Sequence, residues 1–175
     1  MTILYRSAEL TAGTGRQVYG LAVPYNSTIT VNEGNGSSFR ERFEPGVFTR
    51  SIRERGHKVK LLTSHDTRKL AVGRAAELRE DTSGLFASFD VARTRDGDEL
   101  LELVTAGVID SFSIGFQSIR DRRDGDVVVR VEAALWEVSA VNFPAYEGAV
   151  IAGVRSQHTI PRAVAERRLR LLELS

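Results

Sequence analysis

The stretch SFSIGFQSIRDRRDGDVVVRVEAALWEVSAVNFP, residues 111–144, decides the fold class. Its opening, SFSIGFQSI, alternates small or polar with large apolar side chains, the period-two signature of a strand with one packed face. Asp124-Gly125-Asp126 is a tight-turn sequence, and the apolar residues 127–131 after it predict an antiparallel partner strand that continues near Trp136. Residues 138–143 predict one more strand, stopped at Pro144, whose nitrogen cannot donate to a ladder. The charged run 120–126, RDRRDGD, belongs at a solvent-facing hairpin end.

Upstream, Leu100, Leu101, Val104 and Val108 recur at helical spacing and predict a helix over 97–108, with Asp96 or Asp98 to cap its start and Gly107 near its end. Residues 72–79 and 85–92 predict a hairpin across the polar turn Glu80-Asp81-Thr82-Ser83-Gly84. The strand-like KVKLLT, residues 58–63, runs straight into Ser64-His65-Asp66, which places those three at a strand end or in the following turn. Pro45-Gly46 opens a short helix through about Arg53, with Val47, Phe48 and Ile52 as its apolar contacts and Gly56 as its stop. Residues 17–25 read as a strand, and residues 26–38, rich in Asn, Gly, Ser and Thr, as a long loop.

Downstream of Pro144 the pattern becomes irregular, so residues 1–155 are expected to form the compact domain and 156–175 a tail. Within that tail, Ala165, Leu169 and Leu172 with Arg162, Arg167, Arg168 and Arg170 predict a basic amphipathic C-terminal helix. Six or seven strands against two or three helices, without a βαβ rhythm, indicate an α+β fold: a mostly antiparallel β-barrel or sheet with flanking helices.

Composition narrows the function classes. With 24 Lys and Arg against 23 Asp and Glu, the net charge of +1 makes no demand for nucleic acid or anionic lipid as main partner. The chain has no cysteine, which excludes disulfides, thiolate metal sites and a Cys nucleophile. No 18 apolar residues run together and residues 1–10 lack a basic start followed by an apolar stretch, so a soluble, unexported chain with no membrane partner is expected. Gly13-Thr14-Gly15 lacks the strand and helix of a phosphate loop, and His57 and His158 lack ligand-like spacing with acids, so no metal or other cofactor is expected.

Two residues can carry chemistry. His65, at the end of an apolar strand, can be held at a cleft edge near its useful pKa. Ser113 alternates with Phe112 and Ile114, so its hydroxyl faces away from them, and Gly115 lets backbone approach closely. Each has a plainer reading, as a solvated surface histidine and a small strand residue, and Ser111 shares the face of Ser113. A serine nucleophile needs an imidazole oriented by a third group, for which Glu137, Glu132 and Asp66 are the candidates.

Six blocks bear on this choice: Gly20-Leu21-Ala22-Val23-Pro24-Tyr25, Phe43-Glu44-Pro45-Gly46-Val47-Phe48, Ser64-His65-Asp66, Val72-Gly73-Arg74, Ser111-Phe112-Ser113-Ile114-Gly115-Phe116, and Glu137-Val138-Ser139-Ala140-Val141-Asn142-Phe143-Pro144-Ala145. In order and spacing, over residues 19–154, they resemble the prohead proteases of the HK97-type phage family. The resemblance implies His65 as catalytic base, Ser113 as nucleophile and Glu137 as orienter, with Ser111 and Asp66 as runners-up. It also implies a fold similar to herpesvirus assembly proteases, although no histidine stands near Glu137 to form a Ser-His-His version. At Ala145-Tyr146-Glu147 the chain departs from relatives that carry Asn-Pro, in a turn that holds no catalytic residue.

What the family resemblance implies in function is a serine endopeptidase of the immature capsid in the host bacterial cytoplasm. Its substrates would be the scaffolding segment of the major capsid protein and the protease itself, with residues 156–175 as a processed tail, and the herpesvirus likeness implies a homodimer. The alternatives are a catalytically silent capsid-assembly or scaffold component of the same fold, and a nucleic-acid-binding module using the basic helix, which lacks interleaved aromatics for stacking.

Overall fold

The computed structural model describes residues 15–32, 38–145 and 149–155. Its elements run β1 (Gln17–Pro24), β2 (Ile29–Asn32), β3 (Ser38–Phe43), α1 (Thr49–Arg55), a 3-10 turn (Gly56–Lys58), β4 (Lys60–Thr63), β5 (Gly73–Glu80), β6 (Gly84–Val91), α2 (Arg95–Thr105), β7 (Ser111–Asp124), β8 (Val127–Val141) and β9 (Ile151–Arg155). The expected tail with its basic helix, and His158, lie outside the described residues.

The strands form one open sheet in the order β2-β3-β8-β4-β5-β6-β1-β9, with β7 paired to β8 off that path. The long strand β8 is its spine. Along one edge it takes β3 in parallel at Val127 to Arg130 and β4 in parallel at Glu137 to Ala140. Along the other edge it pairs antiparallel with β7 over nearly its whole length. Between β3 and β4 the edge of β8 would be left with unpaired amides, which is unfavourable in a buried strand. The α1 segment fills that gap, because Ala133 N–H donates to the Val47 carbonyl at 2.9 Å and Leu135 N–H to the Ser51 hydroxyl at 2.9 Å.

The inner face carries the core. Leu61 of β4, Leu135 and Val138 of β8, and Phe112 of β7 are fully buried, and the Phe112 ring meets Phe89 of β6 edge-on with centroids 6.2 Å apart. Burial of such rings and aliphatic side chains contributes roughly 1.5–3 kcal/mol each. Since side chains alternate across a strand, fixing Phe112 inward turns Ser113 outward.

The α+β, mostly antiparallel expectation holds, with the sheet open rather than closed into a barrel. Several local expectations need correction. Residues 26–38 are not one long loop, because Ile29–Asn32 pairs with Ser38–Phe43. Neither Asp96 nor Asp98 caps α2; the Thr94 hydroxyl accepts the Gly97 N–H at 3.2 Å, and Asp98 instead pairs with Arg16. Gly56 ends α1 as expected, as its C-cap, and also begins the 3-10 turn that leads to β4. The two strands expected over 127–143 are one, β8, interrupted by a bulge at Trp136: Gly115 faces Glu137 while Phe116 faces Leu135. Past Pro144 the irregular stretch ends in a last strand, β9, on the edge of β1.

Candidate active site

Three adjacent strands, β4, β8 and β7, carry the candidate site, with His65 in the turn that follows β4. The register sets Leu62 of β4, Ser139 of β8 and Ser113 of β7 side by side, with Glu137 opposite Gly115 two pairs further along. Partners in register share a face, so Ser113, Gly115, Glu137 and Ser139 all project from the outer face of the sheet. The bulge at Trp136 sustains this placement. It lets Leu135 stay in the core, puts Trp136 half in solvent, and still returns Val138 to full burial with Glu137 facing outward.

His65 sits two residues beyond β4, where the chain turns. Ser64 and His65 both adopt left-handed backbone conformations, with φ of 52° and 55°. A residue in this region costs about 1–2 kcal/mol unless it is held. Two bonds hold it: Ser64 N–H donates to the Ala140 carbonyl at 3.0 Å, and His65 N–H donates to the Ser139 hydroxyl at 3.1 Å. The turn brings His65 Nδ1 to 2.5 Å from Glu137 Oε1, while the other carboxylate oxygen, Oε2, accepts the Ser139 hydroxyl at 2.7 Å.

A carboxylate is acceptor-only, so the Nδ1 beside it carries the proton and Nε2 keeps its lone pair for the far side of the ring. The Glu137 hydrogen bond holds the His65 imidazole above its ordinary range, against the lowering effect of partial burial. Glu137 itself is largely covered, with 12% of its side chain exposed, which keeps the interaction out of bulk solvent.

Of the three acids considered as orienter, Glu137 is the one that meets His65. Asp66 turns to Arg68, accepting its backbone N–H at 3.1 Å and its Nε at 3.0 Å, and this pairing holds the Asp66 carboxyl below the usual range. Glu132 lies on the other side of the bulge and pairs with Arg50 at 3.3 Å. Ser113 lies one strand from Ser139, the residue on which His65 rests; in-register partners have Cα atoms about 4.5–5.5 Å apart. Ser111 is 7% exposed, and its hydroxyl donates to Asp110 at 2.7 Å.

Sequence reasoning gave Ser139 no role and Gly115 a different one. The signal for Ser139 was present: it stands two residues after Glu137, the spacing that shares a strand face.

The fold is that of the herpesvirus proteases. The chain superimposes on the Kaposi's sarcoma herpesvirus protease, solved in complex with a hexapeptide phosphonate inhibitor, with a TM-score of 0.52 and 13% identity, covering 92% of this chain and 77% of that one. Within that fold, the chain belongs to the caudovirus prohead serine protease family, whose model matches residues 2–162. It is similar to the prohead protease of Enterobacteria phage HK97, with 28% identity over 149 residues covering 82% of this chain. It spans 63% of the length of that relative.

Proposed function

We propose that this chain is a serine endopeptidase of phage capsid maturation, with Ser113 as nucleophile, His65 as general base and Glu137 as the group that orients the base and stabilises its protonated form. The observation that carries the reading is the 2.5 Å contact between Glu137 Oε1 and His65 Nδ1, one strand from an outward-facing serine. In this mechanism Nε2 of His65 takes the Ser113 proton, the alkoxide adds to a peptide carbonyl, and the imidazolium returns the proton to the leaving amine. Water then hydrolyses the acyl-enzyme by the same route, and backbone N–H groups stabilise both oxyanions. Glu137 stabilises the imidazolium formed in each step. The raised basicity of His65 fits a group that must accept a proton and hold it through the transition state.

Family membership supports the substrate: the scaffolding segment of the major capsid protein, cut inside the immature capsid in the host cytoplasm, together with cleavage of the protease's own residues 156–175. The herpesvirus-like fold is the ground for a homodimer. Co-expression of the chain with its neighbouring capsid gene, read by intact mass of the capsid protein, tests this. Trimming by wild type and not by Ser113→Ala is the expected result. Trimming by both variants assigns the cut to another nucleophile, and trimming by neither favours a silent assembly component.

A further inference from the structure

We infer that Ser139 and Gly115 are positioning residues of this site, together forming the seat that fixes the Glu137 carboxylate against His65. The inference rests on the serine peptidase reading above and adds two residues to it.

Ser139 is fully buried near the C-terminal end of β8, between β4 and β7, and its hydroxyl is used twice, both times on the site. It accepts the His65 N–H at 3.1 Å and donates to Glu137 Oε2 at 2.7 Å. The parallel ladder between β4 and β8 stops at Thr63 and Ala140. Ser64 extends it by one backbone bond to the Ala140 carbonyl, and beyond that the left-handed turn takes the chain out of reach of the β8 backbone. The Ser139 side chain supplies the next acceptor. One hydroxyl therefore ties the main chain of the base to the side chain of its orienter. With Oε2 held by Ser139 and Oε1 by His65, the plane of the carboxylate is determined.

Gly115 supplies the space. A Cβ at this position would lie 2.5 Å from Glu137 Oε1, 3.0 Å from its Cγ and 3.1 Å from its Cδ. The backbone at Gly115 is not left-handed, so the glycine answers a need for room rather than for conformational freedom. All three atoms belong to one long side chain. An added methyl group therefore pushes the carboxylate aside and leaves the sheet intact.

A purely structural role for either residue predicts lower stability without a change in the chemistry of His65. A positioning role predicts for Gly115→Ala a slower nucleophile out of proportion to any loss of folded protein, since alanine's restriction of the unfolded chain offsets part of the cost of displacing the carboxylate. The test measures the rate at which a fluorophosphonate probe labels the full-length chain, by intact mass and peptide mapping, across pH for wild type, Ser113→Ala, Gly115→Ala and Ser139→Ala.

Wild type is expected to label at Ser113. Gly115→Ala and Ser139→Ala are expected to label roughly 10- to 100-fold more slowly, the rate equivalent of a lost charge-assisted hydrogen bond. Their pH profiles should be displaced to lower pH, because a displaced carboxylate no longer supports the imidazolium. If both variants label within about twofold of wild type with the same pH midpoint, or slow only in proportion to lost folded protein, the inference is overturned while the peptidase reading stands. If the wild-type chain is not labelled, or is labelled elsewhere, both are overturned.

Discussion

Replacing Glu137 by Gln keeps the shape of the orienting side chain and changes only what its ends can do. The carboxylate accepts two hydrogen bonds, one from His65 Nδ1 and one from the Ser139 hydroxyl. An amide offers one acceptor and one donor, so it cannot serve both. If its oxygen faces His65, its NH2 group faces a Ser139 oxygen that already accepts the His65 N–H, and the hydroxyl proton is left without a partner in a fully buried position. That arrangement costs about 1–3 kcal/mol. If the amide is reversed, Ser139 is satisfied but the NH2 group faces Nδ1, which must then be unprotonated. The proton moves to Nε2, and the base is in the wrong tautomer to accept from Ser113. Either way the imidazolium also loses a charge-assisted bond of about 1.5–3 kcal/mol. The sum, about 2.5–6 kcal/mol, corresponds to roughly 10²- to 10⁴-fold at 1.36 kcal/mol per decade. Solvent screening of a ring that is 42% exposed favours the lower half of that range. Fluorophosphonate labelling of Glu137→Gln, set against its thermal melt, measures the loss. The argument also fixes how a second change behaves: once Gln stands at 137, Ser139→Ala removes the group that drives the reversal. The double variant should therefore label at least as fast as Glu137→Gln alone. Losses that instead multiply, in chains that melt like wild type, would refute the tautomer argument.

Three further outcomes are expected. Because Glu137 raises the folded-state pKa of His65 above the ordinary histidine value of about 6.5, the pair's contribution to stability is fully present below about that pH and is lost as pH rises through the higher folded value. Urea midpoints compared between wild type and Glu137→Gln from about pH 5 to 9 should show that slope in wild type and its absence in the variant. Ser51→Ala deprives the buried Leu135 N–H of its acceptor and should lower stability by about 1–2 kcal/mol, the unsatisfied donor being partly offset by the better helix propensity of alanine. Ser111→Ala, whose hydroxyl serves Asp110, should leave labelling at Ser113 within about threefold of wild type.

The parts legible in the sequence were those whose pattern is local. The alternation of residues 111–119 with the turn at Asp124-Gly125-Asp126 encodes one hairpin, and the polar turn before Gly84 encodes another, each completed by neighbouring residues. The continuity of β8 was hidden because the bulge at Trp136 sets two outward residues in succession, which breaks a period-two reading into two strands. Strand β2 was hidden because four residues among Asn and Thr are too few to show a period, and its pairing with β3 closes across a segment read as loop. The parallel ladders of β8 with β3 and β4 depend on partners far apart in the chain, and nothing local announces them. The site followed the same division. The His65 turn and the outward face of Ser113 could be read from neighbours, whereas the preference of His65 for Glu137 over the adjacent Asp66 depends on Arg68 claiming one acid and β8 delivering the other.

The spine strand also governs when the chain is able to react. His65 and Glu137 are 72 residues apart and meet only through β8, which follows seven other strands in the chain. A growing chain on the ribosome thus displays its histidine, and then its serine, well before it has the acid or the hydroxyl that joins them. Contacts of such long range form late in folding and slowly. Under the mechanism proposed here, a half-synthesised or half-folded copy is inert, and cleavage begins only in molecules whose sheet is complete, so the order of synthesis acts as a safeguard against premature cutting.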